Sequence, residues 1–155
     1  MAFENWILIG IMSIVGTMLT IIGAAIPLAK GIQAAAAAVA EKQQLNVFIL
    51  IYLALAEALA IYGLLIAFVM FTKIDVTNPS SFDQTDAFIF LAAMFIMIIS
   101  NIGAAFTLTK GEPAAIGSIT ANREVFTPNL IYLGLGEALA IYGLLIAFIL
   151  LNLVT

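Results

Sequence analysis

Four long apolar stretches constrain the fold of this chain more than any other feature of its sequence. They extend over about residues 6–40, 45–72, 87–120 and 127–154, with short polar breaks between them. Each is longer than the roughly 20 residues that an α-helix needs to cross about 30 Å of hydrocarbon. An open strand in lipid would leave its backbone groups without hydrogen-bond partners, so each stretch is expected to be helical. The sequence therefore predicts an all-α, multi-pass integral membrane protein with four transmembrane helices.

The composition supports the membrane assignment and excludes several kinds of function. Of the 155 residues, 65% are hydrophobic and 9% are charged, whereas a soluble domain has about 25% charged residues. The chain contains no cysteine and no histidine, so proton chemistry falls to carboxylates, lysines and tyrosines. The net charge of −4 argues against a basic nucleic-acid surface. We expect neither a nucleic-acid partner nor a cofactor.

The second half of the chain repeats the first at an offset of 80 residues. The run EALAIYGLLIAF occurs unchanged at residues 57–68 and 137–148. Each unit contains two crossings, so both units enter the membrane in the same direction, which excludes an inverted-topology repeat. We predict two tandem hairpins, residues 1–75 and 76–155. Units of this kind are suited to a ring, and two per chain require several identical chains to close it.

Each repeated run begins with a glutamate, Glu57 or Glu137, near the middle of an apolar stretch. An ionisable group at this depth is expensive, at about 2.5–3.5 kcal/mol for an Asp at the helix centre. Two ionisable residues in identical apolar surroundings indicate a functional site. A carboxyl group in a low dielectric favours its neutral form, and its ionised form needs a cation or a polar partner. We predict that both glutamates reversibly bind a proton or a small cation.

Lysines and tyrosines are the candidate supporting residues. Lys30 and Lys110 each precede the hairpin turn by as many residues as the glutamate of that hairpin follows it, so each pair should be level. The pair could form an ion pair, or the lysine could extend to the surface or act as structural glue. Tyr62 and Tyr142 follow their glutamates by five residues, roughly 140° around the helix. Each could therefore bond a carboxylate on a neighbouring helix or simply a backbone carbonyl.

The charge distribution predicts the orientation. The hairpin tips carry Lys42 and Arg123, and the opposite side carries Lys73. Basic residues are enriched in cytoplasmic loops, so we expect cytoplasmic tips and external termini.

These features resemble the membrane-ring subunit of rotary ATPases, the proteolipid or c/K subunit, in the duplicated four-helix form of vacuolar-type and archaeal-type enzymes. The motifs are Glu-x-x-x-Ile-Tyr-Gly-Leu-Leu-Ile-Ala-Phe at Glu57 and Glu137, Ala-Lys-Gly at residues 29–31, and Gly-Ala-Ala at residues 23–25 and 103–105.

The resemblance implies a rotor ring of identical subunits in membrane lipid, which is not itself an enzyme. It implies contacts with central-stalk subunits at the hairpin tips and with a stator membrane subunit that supplies an arginine. Glu57 and Glu137 would be the ion-binding carboxylates. Tyr62 matches a tyrosine of the family that can bond the carboxylate of an adjoining hairpin.

Two features depart from the pattern of the family. Many duplicated relatives have lost the carboxylate of one hairpin, whereas this chain keeps both. Sodium-binding members usually present Gln on the inner helix and Ser or Thr beside the glutamate, where this chain has Lys30, Lys110, Ala58 and Ala138. We therefore favour H⁺ as the transported ion, with Na⁺ at the same two glutamates as the alternative.

Two other functions are compatible with four transmembrane helices. A small ion-coupled antiporter would use one membrane glutamate, but it needs no doubled hairpin and usually has an aromatic-lined cavity. A channel-forming or purely structural oligomer is the third possibility. The size of the detergent-extracted particle distinguishes them, because a ring is much larger than a dimer.

Overall fold

Five α-helices make up the part of the chain that the structure describes. The computed structural model covers residues 2–75, 77–78 and 81–154, with the backbone alone at residues 2–5. The helices are α1 (Ala2–Met18), α2 (Thr20–Glu41), α3 (Asn46–Thr72), α4 (Gln84–Ala121) and α5 (Phe126–Leu151). The first of the four segments long and apolar enough to cross a membrane combines α1 and α2, and α3, α4 and α5 supply the others. The all-α fold with four transmembrane helices is confirmed.

The first transmembrane segment is interrupted at Leu19, which the hydropathy pattern does not predict. Here the backbone hydrogen bond reaches back three residues instead of four, because the Leu19 amide donates to the carbonyl of Gly16 at 3.0 Å. The Thr20 hydroxyl donates to the carbonyl of Thr17 at 2.8 Å. Such bonds from Ser or Thr to the preceding turn compete with the helical ladder and often bend a helix. Pro27, by contrast, lies inside α2 without ending it.

Both hairpins turn in the same way, 80 residues apart. Short 3₁₀ turns, Gln43–Leu45 and Arg123–Val125, connect α2 to α3 and α4 to α5. The last residue of the helix before the turn and the first residue of the helix after it are also 80 positions apart between the two hairpins. The repeat seen in the sequence is therefore a repeat of backbone structure.

The predicted helix bounds differ from the structure by three or four residues at α1, α4 and α5, and α1 begins at Ala2 rather than at residue 6. Helix α4 begins at Gln84, three residues before the predicted start, because Asp83 and Asp86 form a capping box that satisfies amides at a helix start. Helix α5 ends at Leu151 rather than at residue 154. The division of the chain into units 1–75 and 76–155 stays a prediction.

The two hairpins pack side by side and point the same way. Within the hairpins α2 packs on α3 and α4 packs on α5; between them α2 contacts α4, and α3 contacts α5. Lys42 Nζ donates to the carbonyl of Thr120 at 2.5 Å, which joins the two hairpin tips. At the opposite end, Lys73 Nζ donates to the carbonyl of Val154 at 2.9 Å. Because α2 and α4 pack more extensively on each other than α3 and α5 do, we refer to α2 and α4 as the inner helices and to α3 and α5 as the outer helices.

The core consists of two clusters, one towards each end of the helices. The cluster near the tips includes Tyr52 and Ile116, and the cluster near the other end includes Met70 and Phe90. Tyr62 packs against both clusters, which places its ring about halfway along the bundle.

Candidate ion-binding site

Glu137 on α5 lies at the boundary between the two hairpins. Its side chain is buried, and the hydroxyl of Tyr62 on α3 donates a hydrogen bond to its Oε1. Tyr62 thus bonds the glutamate of the adjacent hairpin, which is the arrangement that its angular separation from Glu57 favours. A carboxyl group has two oxygens, so one can accept this bond while the other carries a proton.

The other glutamate and tyrosine lie at the outer edges of the chain. Glu57 on α3 is exposed, and Tyr142 on α5 is 61% exposed. Neither forms a hydrogen bond or an ion pair within the described residues. One chain therefore contains one complete Tyr–Glu pair and the two separated halves of a second.

A glycine follows each tyrosine and lets the inner helix come very close. A Cβ atom added to Gly63 would lie 1.7 Å from Thr20 Oγ1, and one added to Gly143 would lie 1.9 Å from Ser100 Oγ. Thr20 and Ser100 are themselves 80 residues apart. Small residues at helix interfaces allow this close packing in lipid. The contact fixes the outer helices, and with them the tyrosines, against the inner helices.

An ion pair with a glutamate, one of the possibilities for Lys30 and Lys110, is not formed among the described residues. Both lysines are exposed. Lys110 Nζ lies 4.4 Å from the centre of the Phe106 ring, in a cation–π contact, and Lys30 has no polar partner among the described residues. Level positions in a hairpin do not by themselves bring two side chains together, because the rotation of each helix also decides which partner a side chain meets. Their supporting role stays a prediction.

Two buried polar residues on α4, Asn101 and Glu112, were not predicted from the sequence. Asn101 is 1% exposed and Glu112 is 0% exposed. Their side-chain nitrogen and oxygen atoms have no hydrogen-bond partner among the described residues. The repeat contained the signal, because the residues 80 positions earlier are the apolar Ile21 and Ile32.

The arrangement at Glu137 is chemically suited to reversible binding of a proton or another small cation. A carboxyl group near the middle of the bilayer is stable when neutral or when bound to a cation. The tyrosine hydroxyl fixes the position of the carboxyl group without adding charge. Such a group can take up a cation in one environment and release it in another.

Comparison with known protein families agrees with the repeated architecture. A sequence model of the family described as the C subunit of ATP synthase matches the chain twice, over residues 9–70 and 91–150. Each match includes one hairpin turn; the first contains Glu57 and Tyr62, and the second contains Glu137 and Tyr142. A comparison with curated proteins found no match.

Proposed function

Because the chain belongs to the family of ATP synthase C subunits, we propose that Glu57 and Glu137 are the groups through which its rotor ring carries protons across the membrane. Proteins of this family are non-catalytic subunits of the membrane ring and assemble with the other subunits of the ATP synthase. The observation that carries the proposal is the hydrogen bond from Tyr62 to Glu137, which holds a carboxyl group at the junction of two hairpins, on a helix long and apolar enough to cross a membrane.

The exposed halves of the second Tyr–Glu pair support a specific contact between neighbouring copies. In the chain, the tyrosine of the first hairpin bonds the glutamate of the second. Repeating this step around a ring brings Tyr142 of one copy to Glu57 of the next copy. Every Glu57 and every Glu137 of the ring then has the same kind of partner, although the two residues differ in exposure within one chain.

A groove on the second hairpin supports the same contact. It has a volume of about 410 Å³ and is lined by residues of α4 and α5 that include Gly111, Leu133 and Gly136. The corresponding surface of the first hairpin includes Gly31 and Ala56, both of which are buried in the chain. Helix α4 covers that surface, so we propose that the first transmembrane segment of the next copy covers the groove.

We assign the chain to the vacuolar/archaeal type of rotary ATPase and propose H⁺ as its ion. The support for the type is the duplicated four-helix form. The support for H⁺ is the set of neighbours of Glu137, where Tyr62 supplies one hydroxyl and the next residue is Ala138. A hard metal cation prefers several oxygen ligands. Na⁺ at the same glutamates is the alternative.

The remaining parts of the proposal concern partners and sidedness. Release of the bound ion leaves a negative charge on a ring glutamate, and this charge requires a positively charged group on the stator. We propose that an arginine of a stator membrane subunit is this group. The hairpin tips, which contain Lys42 and Arg123, face the cytoplasm and bind the central stalk. Since both hairpins keep their carboxylates, each chain carries two ions per turn, and each charge that crosses 100 mV is worth about 2.3 kcal/mol.

Carbodiimide labelling of the purified ring, resolved by peptide mass spectrometry, tests this function. The reagent should modify Glu57 and Glu137 and leave the exposed tip residue Glu124 unmodified, because it reacts with protonated carboxyl groups in apolar surroundings. Added NaCl at neutral pH should not protect either site. Protection by NaCl would contradict H⁺ as the ion, and an unmodified Glu57 and Glu137 would contradict the ion-binding role.

The size of the detergent-extracted particle separates the rotor ring from a small antiporter. A large closed ring is expected. A particle no larger than a dimer would instead favour an antiporter.

A further inference from the structure

Glu112 is a carboxyl group that the ion-transport proposal does not use. It lies on α4, it is 0% exposed, and both its Oε1 and Oε2 lack a hydrogen-bond partner among the described residues. Its repeat counterpart, Ile32, is apolar and 51% exposed. The two interfaces in a ring therefore differ: the one inside each chain contains a carboxyl group where the one between chains would contain an isoleucine.

The surroundings of Glu112 are apolar and closely packed. A Cβ atom added to Gly31 on α2 would lie 2.7 Å from Glu112 Oε2 and 2.5 Å from Leu53 Cδ2. The backbone amide of Ala56 on α3 lies beside the carboxyl group, outside the geometry of a hydrogen bond. Above and below it on α4, Leu108 and Ile116 are fully buried. The carboxyl group is thus enclosed between α2, α3 and α4.

The charged groups on the packed helices do not neutralise Glu112. Lys30 on α2 and Lys110 on α4 are exposed, and Lys110 Nζ lies over the ring of Phe106. Glu57 on α3 is exposed, and Glu137 on α5 accepts the hydroxyl of Tyr62. The described side chains of α1 include no charged group.

An ionised carboxylate in this position would be costly. Transfer of an unpaired charge into an apolar interior is strongly unfavourable, and a buried acid avoids it by holding a proton. The enclosure is complete within one chain, so a neighbouring copy cannot reach Glu112 to supply a counter-ion. No group of three or more acidic, histidine or cysteine side chains that could hold a metal ion occurs among the described residues, which leaves the proton as the cation that fits.

We propose that Glu112 is a third proton-binding carboxyl group of each chain, enclosed between α2, α3 and α4, and that it keeps its proton while Glu57 and Glu137 exchange theirs. The number of ions carried per chain then stays at two, although three carboxyl groups lie inside the membrane. This inference goes beyond the transport function and applies whether the ring carries H⁺ or Na⁺.

Infrared spectroscopy of the intact purified ring tests the proposal, because a protonated carboxyl group has its own carbonyl stretching band. The comparison uses the wild-type ring and a ring that carries Glu57→Gln and Glu137→Gln, both at alkaline pH. A band equivalent to one carboxylic acid per chain is expected in the double variant, and a band at least as strong is expected in the wild-type ring. It should be lost when Glu112→Gln is added to the double variant.

The control is Asp86→Asn. Asp86 is also buried, but its carboxylate accepts an amide in the capping box at the start of α4, so this variant should keep the band. A double variant without the band would overturn the proposal and does not require the Glu112 variant to fold. So would a band that disappears when Na⁺ is added, because Glu112 would then be an exchanging cation site. Neither result would affect the labelling of Glu57 and Glu137, so the two proposals fail separately.

Discussion

Substitution of Tyr62 by Phe removes one hydroxyl group from the boundary between the hairpins and keeps the aromatic ring of this side chain in the core. The hydroxyl donates to Glu137 Oε1, and Tyr62 packs against both core clusters. The substitution should therefore leave the packing intact and free the Glu137 carboxyl group to reorient. We expect Glu137 to react faster with carbodiimide in this variant.

The size of the effect follows from the free energy of one hydrogen bond. A bond between neutral partners contributes about 0.5–1.5 kcal/mol net, and about 1.4 kcal/mol corresponds to a factor of ten in an equilibrium constant. If the Tyr62-bound position is the unreactive one, the labelling rate of Glu137 should rise between about twofold and tenfold. The rate at Glu57 should not change, since its proposed partner is Tyr142.

The assay is the time course of labelling at each glutamate, and Tyr52→Phe is the matched control. The Tyr52 hydroxyl also bonds across the hairpins, to the carbonyl of Phe126 at 2.9 Å, but near the tips. The Tyr52→Phe variant loses a hydrogen bond of the same kind and should leave the labelling rate of Glu137 unchanged. An equal acceleration in both variants would show a general loosening of the hairpins, and no acceleration in Tyr62→Phe would refute the restraint of Glu137.

Two further predictions concern a helix contact and a loop. Gly143→Ala places a Cβ atom 1.9 Å from Ser100 Oγ and should destabilise the ring by about 1–3 kcal/mol through overpacking. In the control Gly134→Ala the added Cβ atom meets nothing within 4 Å, so this variant should be tolerated. Thermal dissociation of the ring measures the stability of both variants. Equal stabilities would contradict the close contact between Gly143 and Ser100. The hydroxyl and amide of Thr77 donate to Asp75 Oδ1 at 2.7 and 2.8 Å and lower the pKa of Asp75. A lowered pKa in the folded state stabilises the loop above the ordinary pKa of Asp, and this stabilisation is lost as the pH falls through the lowered value. Thr77→Val should therefore raise the Asp75 pKa in an NMR titration, and an unchanged titration would contradict the bond.

The helices could be predicted because long apolar runs are visible in the sequence, and the repeat could be predicted because the same segment occurs twice. A membrane segment must satisfy its backbone internally, so a long apolar run leaves few alternatives to a helix. The interruption at Leu19 was not predicted, because it depends on which carbonyl the Thr20 hydroxyl selects. The early start of α4 depends on a reciprocal pair of carboxylates, Asp83 and Asp86, which the apolar pattern does not include.

The site was only partly predictable for a geometric reason. Distance along the chain predicts how deep a residue lies, and Glu57 and Glu137 were proposed from their position in the apolar runs. It does not fix the rotation of each helix, so it does not decide whether a lysine at the predicted depth bonds a glutamate, and neither lysine does so among the described residues. Agreement between the repeats indicates those two glutamates, whereas Glu112 is marked only by its difference from its counterpart, Ile32.

ATP-driven ion uptake by vesicles that contain the whole reconstituted enzyme tests the central claim most directly. The enzyme should be compared with a form whose ring carries Glu57→Gln and Glu137→Gln, after the variant ring has been shown to assemble at its normal size. Loss of uptake in the double variant is the predicted result. Uptake that continues in an assembled ring without either carboxyl group would contradict the claim that these two glutamates carry the ion.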